Sequence, residues 1–225
     1  MQVAVIGAGK IGATLAGKIV LAGHRVLIAN SRGAHTLTTI AAQTGAEPAD
    51  LDQVGLGADV IVVAVPFHAF VEWPRDLLPR GPAVVDTSNY VPVHRDPRIP
   101  ELDAGGVESE WTQARLGRGV IKAFNCINVA SLRDLGQPVG TPGRIALSAA
   151  GDDAYAKQVV FELIEAAGYD TVDGGTLAES WRQQPGTPAF CTNLDVGGVR
   201  QALEAAAPEH TTQWREMMAA RAERI

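Results

Sequence analysis

Apolar residues along this chain fall into two alternating patterns. Val3-Ala4-Val5-Ile6 is an unbroken apolar run, as a strand buried on both faces requires. Lys10 to Ala22 then carries Ile11, Leu15 and Ile19 at i, i+4 and i+8, the stripe of an amphipathic helix, and Gly23-His24 ends it. Arg25 to Ala29 reads as a second strand. Ala34 to Thr44 and Leu51 to Leu56 are predicted helical. Asp59 to Val65 is the strongest strand signal, stopped by Pro66, and Phe67 to Leu78 reads as a helix disturbed by Pro74. Ala83 to Asp86 and Val120 to Phe124 are further strands. Between them Val91 to Gly106, rich in Pro, Asp and Gly, is predicted irregular.

The Gly- and Pro-rich stretch from Gly136 to Gly143 marks a boundary, giving a domain over 1–140 and a smaller lobe over 141–225. In that lobe Arg144 to Ser148 and Tyr169 to Val172 read as strands. Asp152 or Asp153 can cap a helix running to Ala167. Thr176 to Gln183, Leu194 to Ala206 and a last segment starting near Pro208 read as helices. Short strands alternating with helices predict an α/β fold: a Rossmann-type, doubly wound, mainly parallel sheet with a smaller α/β C-terminal lobe.

Between the first strand and helix lies Gly7-Ala8-Gly9-Lys10-Ile11-Gly12, a G-x-G-x-x-G pattern in the context that gives it meaning. Gly7 permits the tight turn, Gly9 lets a pyrophosphate approach the backbone, and Gly12 lets the helix lie close on the strand. The free N–H groups of the first helical turn, with the helix dipole, favour bound phosphate. Lys10 either adds charge there or is simply solvated. A dinucleotide is the expected ligand.

The end of the second strand is where such folds read the adenosine ribose. A carboxylate there binds a 2′-OH; this chain has Asn30-Ser31-Arg32 instead. A hydroxyl and a guanidinium suit a 2′-phosphate, through charge-assisted bonds worth about 1.5–3 kcal/mol each. The cofactor read from these residues is NADP(H).

Ala64-Val65-Pro66 closes the strongest strand at the edge where ligands lie, and its backbone can line the path from ribose to nicotinamide. Phe67 either walls the nicotinamide ring or packs in the core. His68 either donates to substrate or is a surface residue. Asn89 and Asn125, each just beyond a strand, either offer amides to the cofactor or tie down turns. Further on, Trp181 and Phe190 can stack on a flat ring and Arg182, with Gln183 and Gln184, can reach polar groups; a loop packed under the last helix is the alternative.

Taken together, these segments resemble the coenzyme F-420 (deazaflavin)-dependent NADP oxidoreductase family, to which the cytosolic reductase domains of STEAP metalloreductases are related. The resemblance is carried by residues 3–12, Asn30-Ser31-Arg32, Val65-Pro66-Phe67, Ala123-Phe124-Asn125, Gly151-Asp152-Asp153 and Asp173-Gly174-Gly175-Thr176-Leu177. It implies an enzyme in which Ser31 and Arg32 hold the 2′-phosphate, residues 8–11 the pyrophosphate, and the C-terminal lobe closes over the nicotinamide. Hydride then passes between nicotinamide C4 and a flavin, deazaflavin or similar ring acceptor. The sequence departs from the family after Leu177, where the acceptor would be recognised.

Direct transfer between stacked rings needs orientation more than an acid or base, and no catalytic residue is predicted. Tyr155 is followed by Lys157, so the Tyr-x-x-x-Lys pair of short-chain dehydrogenases is missing. Two alternatives stand beside this reading: an NADPH-dependent reductase of a small imine or hydroxy acid, and a non-catalytic NADP(H) sensor. Relatives of the first kind carry long all-helical C-terminal domains, and the residues from 141 on are too few and partly stranded for that plan.

Composition narrows the partners. The chain has 225 residues, 46% hydrophobic, and a formal charge of −6 from 25 acidic and 19 basic residues. Such a surface has no attraction for nucleic acid or anionic membranes. No charged and apolar leader precedes Gln2 and no apolar run is long enough to span a membrane, so a cytoplasmic protein is expected. The two cysteines, Cys126 and Cys191, have no metal-ligand spacing, and no metal site is predicted. The resemblance implies a homodimer.

Overall fold

Strand β1 (Gln2–Ile6) is the centre of the molecule, and Val3, Ala4 and Val5 are wholly buried. The computed structural model describes residues 1–74, 76–92 and 94–222. After β1 come α1 (Lys10–Leu21), β2 (Arg25–Ala29), α2 (Thr38–Thr44), β3 (Glu47–Pro48), β4 (Val60–Val63) and β5 (Ala83–Asp86). Helices α3 (Pro100–Asp103) and α4 (Glu108–Leu116) precede β6 (Ile121–Lys122) and α5 (Val129–Asp134). The chain ends with β7 (Ala146–Ala149), α6 (Ala154–Ala166), β8 (Asp170–Asp173), α7 (Val196–Glu204) and α8 (Pro208–Ala222).

The first six strands form one parallel sheet in the order β3-β2-β1-β4-β5-β6. The order reverses between β1 and β4, which opens a crevice at their C-terminal ends. Val3 of β1 pairs with Val26 on one side and Val60 on the other, so every central residue is covered by sheet neighbours and, above and below, by helices. This is the α/β fold that the alternation of apolar runs predicts. Strands β7 and β8 form a second, parallel pair. It joins the main sheet through Lys122 and Ala150, which exchange backbone hydrogen bonds of 2.8 and 3.0 Å in antiparallel sense. One apolar cluster runs from Val3, Val5 and Leu15 to Leu147, Val160 and Leu163, so both sheets share a core.

Several elements differ from the sequence expectation, each for a local reason. Leu51 to Leu56 is a series of turns, not a helix; its Asp50 to Leu56 hydrogen bonds do not propagate before Gly55 and Gly57. Among the described residues of 67–78 one 3-10 turn forms, Phe67–Phe70, before Pro74, whose missing N–H prevents a longer helix. The segment 91–106 contains α3, started by Pro100 in the first turn. The strand expected over Val120 to Phe124 is cut to two residues, because Phe124 takes a positive φ of 61°. Helix α4 has no apolar stripe to announce it, since its buried face is Glu108, Ser109 and Thr112, with Leu116 alone apolar among its buried residues. The helical segment from Thr176 is a 3-10 run, Leu177–Gln183, opened by a capping box between Thr176 and Glu179. Asp153, with its carboxylate 2.9 Å from the Ala156 N–H, caps α6. Among the described residues no helix is long and apolar enough to cross a membrane.

Candidate cofactor and substrate site

The turn from β1 into α1 is packed as tightly as a backbone allows. Gly7 has a φ of +110°, and a Cβ there would lie 2.2 Å from the Ala64 carbonyl oxygen. At Gly12 a Cβ would lie 1.9 Å from the Gly7 oxygen, so α1 sits directly on the turn. Gly9 is different: a Cβ there would meet nothing within 4 Å beyond its own chain neighbours. Gly9 is the N-cap of α1 and no side chain caps the helix. The first turn carries Lys10 and no acidic residue. This cradle, which a side chain at position 9 would fill, fits a pyrophosphate held by backbone N–H groups.

At the end of β2 the Asn30 side chain is almost fully buried and committed. Its Oδ1 accepts from the Arg32 N–H at 2.8 Å, and its Nδ2 donates to Thr36 Oγ1 at 2.9 Å. Asn30 therefore shapes the loop, while Ser31 and Arg32 stay exposed at its tip. The Ala34 N–H donates to Asp50 Oδ1 at 2.9 Å, which closes the same loop on its far side. No carboxylate stands at the strand end itself, so the donor set there fits a phosphorylated ribose.

Ala64 and Val65 are half-buried and Pro66 is exposed at the end of β4, with the Ala64 N–H donating to the Ile6 carbonyl at 2.8 Å. Of the two readings of Phe67, the structure selects core packing and removes it from the crevice wall. The ring is wholly buried, stacked on Trp111 with centroids 5.1 Å apart and tilted against Tyr90 at 5.4 Å. His68, by contrast, is half exposed.

Asn89 and Asn125 meet each other across the ends of β5 and β6. Asn125 Nδ2 donates to Asn89 Oδ1 at 3.2 Å, and Asn89 Nδ2 donates to the Asn125 carbonyl at 3.1 Å. Asn125 is also held by Gln183, whose carbonyl accepts from Nδ2 at 2.7 Å and whose Nε2 donates to Oδ1 at 3.1 Å. Gln183 takes a hydrogen bond of 2.6 Å from Ser148 as well. The second lobe is thus fastened to the crevice edge by one buried amide. Gln184 works in the same way, accepting from the Glu108 N–H at 2.9 Å. Neither glutamine is free to reach a ligand.

The neighbours of Gln183 in this segment are dispersed. Trp181 lines a cavity of about 570 Å³ with Val107, Gln184, Thr211 and Arg215, between the segment before α4 and helix α8. The Arg182 guanidinium lies 4.9 Å from the Trp181 ring centre and donates to the Leu203 carbonyl. Phe190 makes an edge contact with Trp214 at 6.1 Å. The contacts of Arg182 and Phe190 therefore run to α7 and α8, away from Asn89 and Asn125.

Two groups of charges escaped sequence reading because their partners are far apart in the chain. Asp96 has a fully buried carboxylate that accepts from the His68 N–H at 3.0 Å and the Val91 N–H at 2.9 Å. It also pairs with Arg95 at 3.1 Å and lies 3.4 Å from His68 Nδ1. Arg95 in turn donates to the Asn89 carbonyl. Beneath the crevice edge, Asp86 pairs with Lys122 at 3.3 Å and accepts from Ser109 at 2.7 Å. Beside them burial pushes the Glu108 carboxyl above its ordinary range, against the pull of Lys122 and Arg215. Among the described residues no cluster of His, Cys, Asp and Glu could hold a metal ion.

A parallel sheet with a glycine turn at its switch point and a basic, carboxylate-free end to its second strand defines a dinucleotide-binding domain of the oxidoreductase kind. Residues 2–90 match the family described as NADP oxidoreductase, coenzyme F420-dependent. The chain is similar to the hypothetical protein SMa0349 of Sinorhizobium meliloti, 32% identical with a TM-score of 0.72, over 86% of this chain and 95% of that one. It is also similar to a protein of Arthrobacter sp. FB24 provisionally named an F420-dependent NADP-reductase, 25% identical with a TM-score of 0.66, over 80% and 87% of the two chains. Over 69 residues it is 42% identical to YjhV of Escherichia coli strain K12; the match takes in 31% of this chain and spans half (50%) of that relative's length. Residues 2–90 belong to the coenzyme F420-dependent NADP oxidoreductase family.

Proposed function

We propose that this protein binds NADP(H) along the crevice from Arg32 over Gly9 to Asn89, and moves hydride between its nicotinamide and a flavin, deazaflavin or similar ring acceptor. The observation that carries the reading is the contrast between Gly9 and its neighbours. Cβ atoms at Gly7 and Gly12 would strike backbone, whereas the space beside Gly9 is open. The open side of that turn and the exposed Ser31-Arg32 tip lie at the C-terminal ends of adjacent strands, β1 and β2. The ring acceptor is favoured by membership of the F420-dependent family and by the name given to the Arthrobacter relative.

When bound, the cofactor supplies a hydride from nicotinamide C4. What this chain supplies is grip and orientation. The first-turn N–H groups of α1 hold negative charge. Ser31 and Arg32 hold the 2′-phosphate, in a loop set by Asn30. The interlocked Asn89, Asn125 and Gln183 amides fix the floor at the ends of β5 and β6, so the nicotinamide end meets a rigid surface. In this reading residues from 141 on form the lobe that closes over the acceptor.

The test is to follow NADPH oxidation by purified protein with riboflavin, 5-deazariboflavin, a quinone, a ferric chelate, a cyclic imine and a keto acid. Turnover with the flat-ring acceptors is expected. Turnover confined to the imine or keto acid, or tight NADPH binding without turnover of any of them, overturns the ring-acceptor reading.

A further inference from the structure

Reduction of a conjugated ring acceptor takes up a hydride and a proton, and the crevice holds a side chain built to deliver the second. We infer that His68, oriented by Asp96, is the proton donor of the reaction. This rests on the hydride-transfer reading above.

The placement is specific. His68 follows β4 by five positions and is joined to the loop after β5 through Asp96, 28 residues along the chain. The Asp96 carboxylate is wholly buried and has two tasks on its two oxygens. Oδ1 accepts from the His68 N–H at 3.0 Å and stands 3.4 Å from ring Nδ1. Oδ2 accepts from the Val91 N–H at 2.9 Å and from Arg95 at 3.1 and 3.2 Å. Asp96 and Arg95 are the charged groups that these contacts place around the ring. A buried carboxylate beside Nδ1 fixes which nitrogen faces it and leaves Nε2 on the other side of a ring that is half exposed. Arg95 donates to the Asn89 carbonyl, so the pair is fastened to the cofactor floor itself. A histidine at the surface for solubility needs none of this.

In the reducing direction the Nε2–H bond of the imidazolium breaks and its electron pair stays on the ring. A new N–H bond forms on the acceptor's conjugated nitrogen. The acceptor gains hydride at the far end of the same conjugated system and is reduced by two electrons, and the nicotinamide is oxidised. Neutral His68 then regains a proton from water through its exposed face. In the reverse direction neutral His68 takes the proton. Reduction of the acceptor therefore needs the imidazolium form of His68, and the reverse reaction needs the neutral ring.

The experiment compares wild type with His68→Gln, using NADPH and either riboflavin or 5-deazariboflavin. The side chain is half exposed and the backbone N–H to Asp96 remains, so the variant keeps its fold. We expect kcat to fall about 100-fold, the low end of what a positioned acid contributes. The decline of rate at high pH should vanish, imidazole in the buffer should restore part of the rate, and NADPH affinity by calorimetry should change less than about twofold. Independently of turnover, ¹⁵N NMR of the wild type should find the neutral ring protonated at Nδ1, facing Asp96. An unchanged pH profile in the variant, or a neutral ring protonated at Nε2, overturns the assignment and leaves the hydride-transfer reading standing. Absence of turnover by the wild type with both rings overturns both.

Discussion

Arg215, in the C-terminal helix, lies 2.8 Å from the Glu108 carboxylate, and the two side chains are 8% and 0% exposed. The same guanidinium sits 5.0 Å over the Tyr90 ring and donates to the Leu102 carbonyl. The other oxygen of Glu108 accepts from the Tyr90 N–H at 3.1 Å. Helix α8 is thereby bolted to the stretch of chain that carries Asn89, with the Glu108 carboxylate joining the two.

Removing the cation leaves that carboxylate buried without its partner. Arg215→Met is expected to cost about 3–5 kcal/mol at neutral pH, read from urea unfolding. The cost should depend on pH in a stated direction. Glu108 already titrates above its ordinary value because it is buried. A carboxyl whose folded value is raised favours the fold when protonated, and that advantage fades as pH rises through the folded value. Losing Arg215 raises the folded value further, so the gap between variant and wild type should widen as pH rises from mildly acidic to mildly alkaline. A gap that is constant or narrows over that range refutes the account.

Arg32→Ala should weaken NADPH far more than NADH. One charge-assisted pair to a phosphate is worth about 1.5–3 kcal/mol, or roughly one to two decades in Kd. Calorimetry with both nucleotides decides the matter; equal losses would remove the 2′-phosphate from this loop.

The two outer roles of the glycine turn can be separated by substitution. Gly7→Ala places a Cβ 2.2 Å from the Ala64 oxygen at a φ of +110° and should lower stability by several kcal/mol, on the order of other strained or overpacked sites. Gly9→Ala meets nothing within 4 Å in the protein and should leave the melting temperature within a few degrees of wild type. Its NADPH affinity should nevertheless collapse, because the new methyl occupies the pyrophosphate cradle. A Gly9→Ala protein that binds NADPH normally would place the nucleotide elsewhere.

The features legible in the sequence were those set by near neighbours. The run Val3 to Ile6, the glycines after it and the stripe on α1 are all local patterns, and Ala83–Asp86 emerged as a strand with its bounds unchanged. What stayed hidden depends on residues distant along the chain. His68 gains its meaning from Asp96, and Glu108 from Arg215, 107 positions away. Helix α4 was missed because its inner face, Leu116 apart, is polar, and it is polar because it meets Asp86 and Arg215. Asn30 and Asn125 were legible as amides at strand ends. Only the fold shows that their donors and acceptors are spent on Thr36, Arg32 and Gln183, so they position the site.

Gln183 offers a test of how the second lobe is coupled to the crevice. Its side chain satisfies Ser148 at 2.6 Å, the Lys122 carbonyl at 3.2 Å and Asn125 at 3.1 Å, all in the interior. Gln183→Ala leaves Ser148 and the Asn125 Oδ1 without that partner, while the Lys122 carbonyl keeps the Ala150 N–H, and each stranded buried group costs about 1–3 kcal/mol. Water entering the vacated space would offset part of this, so a net loss of about 2–4 kcal/mol in unfolding free energy is expected. The loss should not stop at stability. Asn125 would keep its bond to the residue 183 carbonyl but lose the one that fixes its Oδ1, the Asn89–Asn125 floor would loosen, and NADPH affinity should fall while affinity for an adenosine 2′,5′-bisphosphate fragment, which lacks the nicotinamide end, stays as in wild type. If both ligands weaken equally, or neither does, the amide chain does not position the nicotinamide end of the crevice.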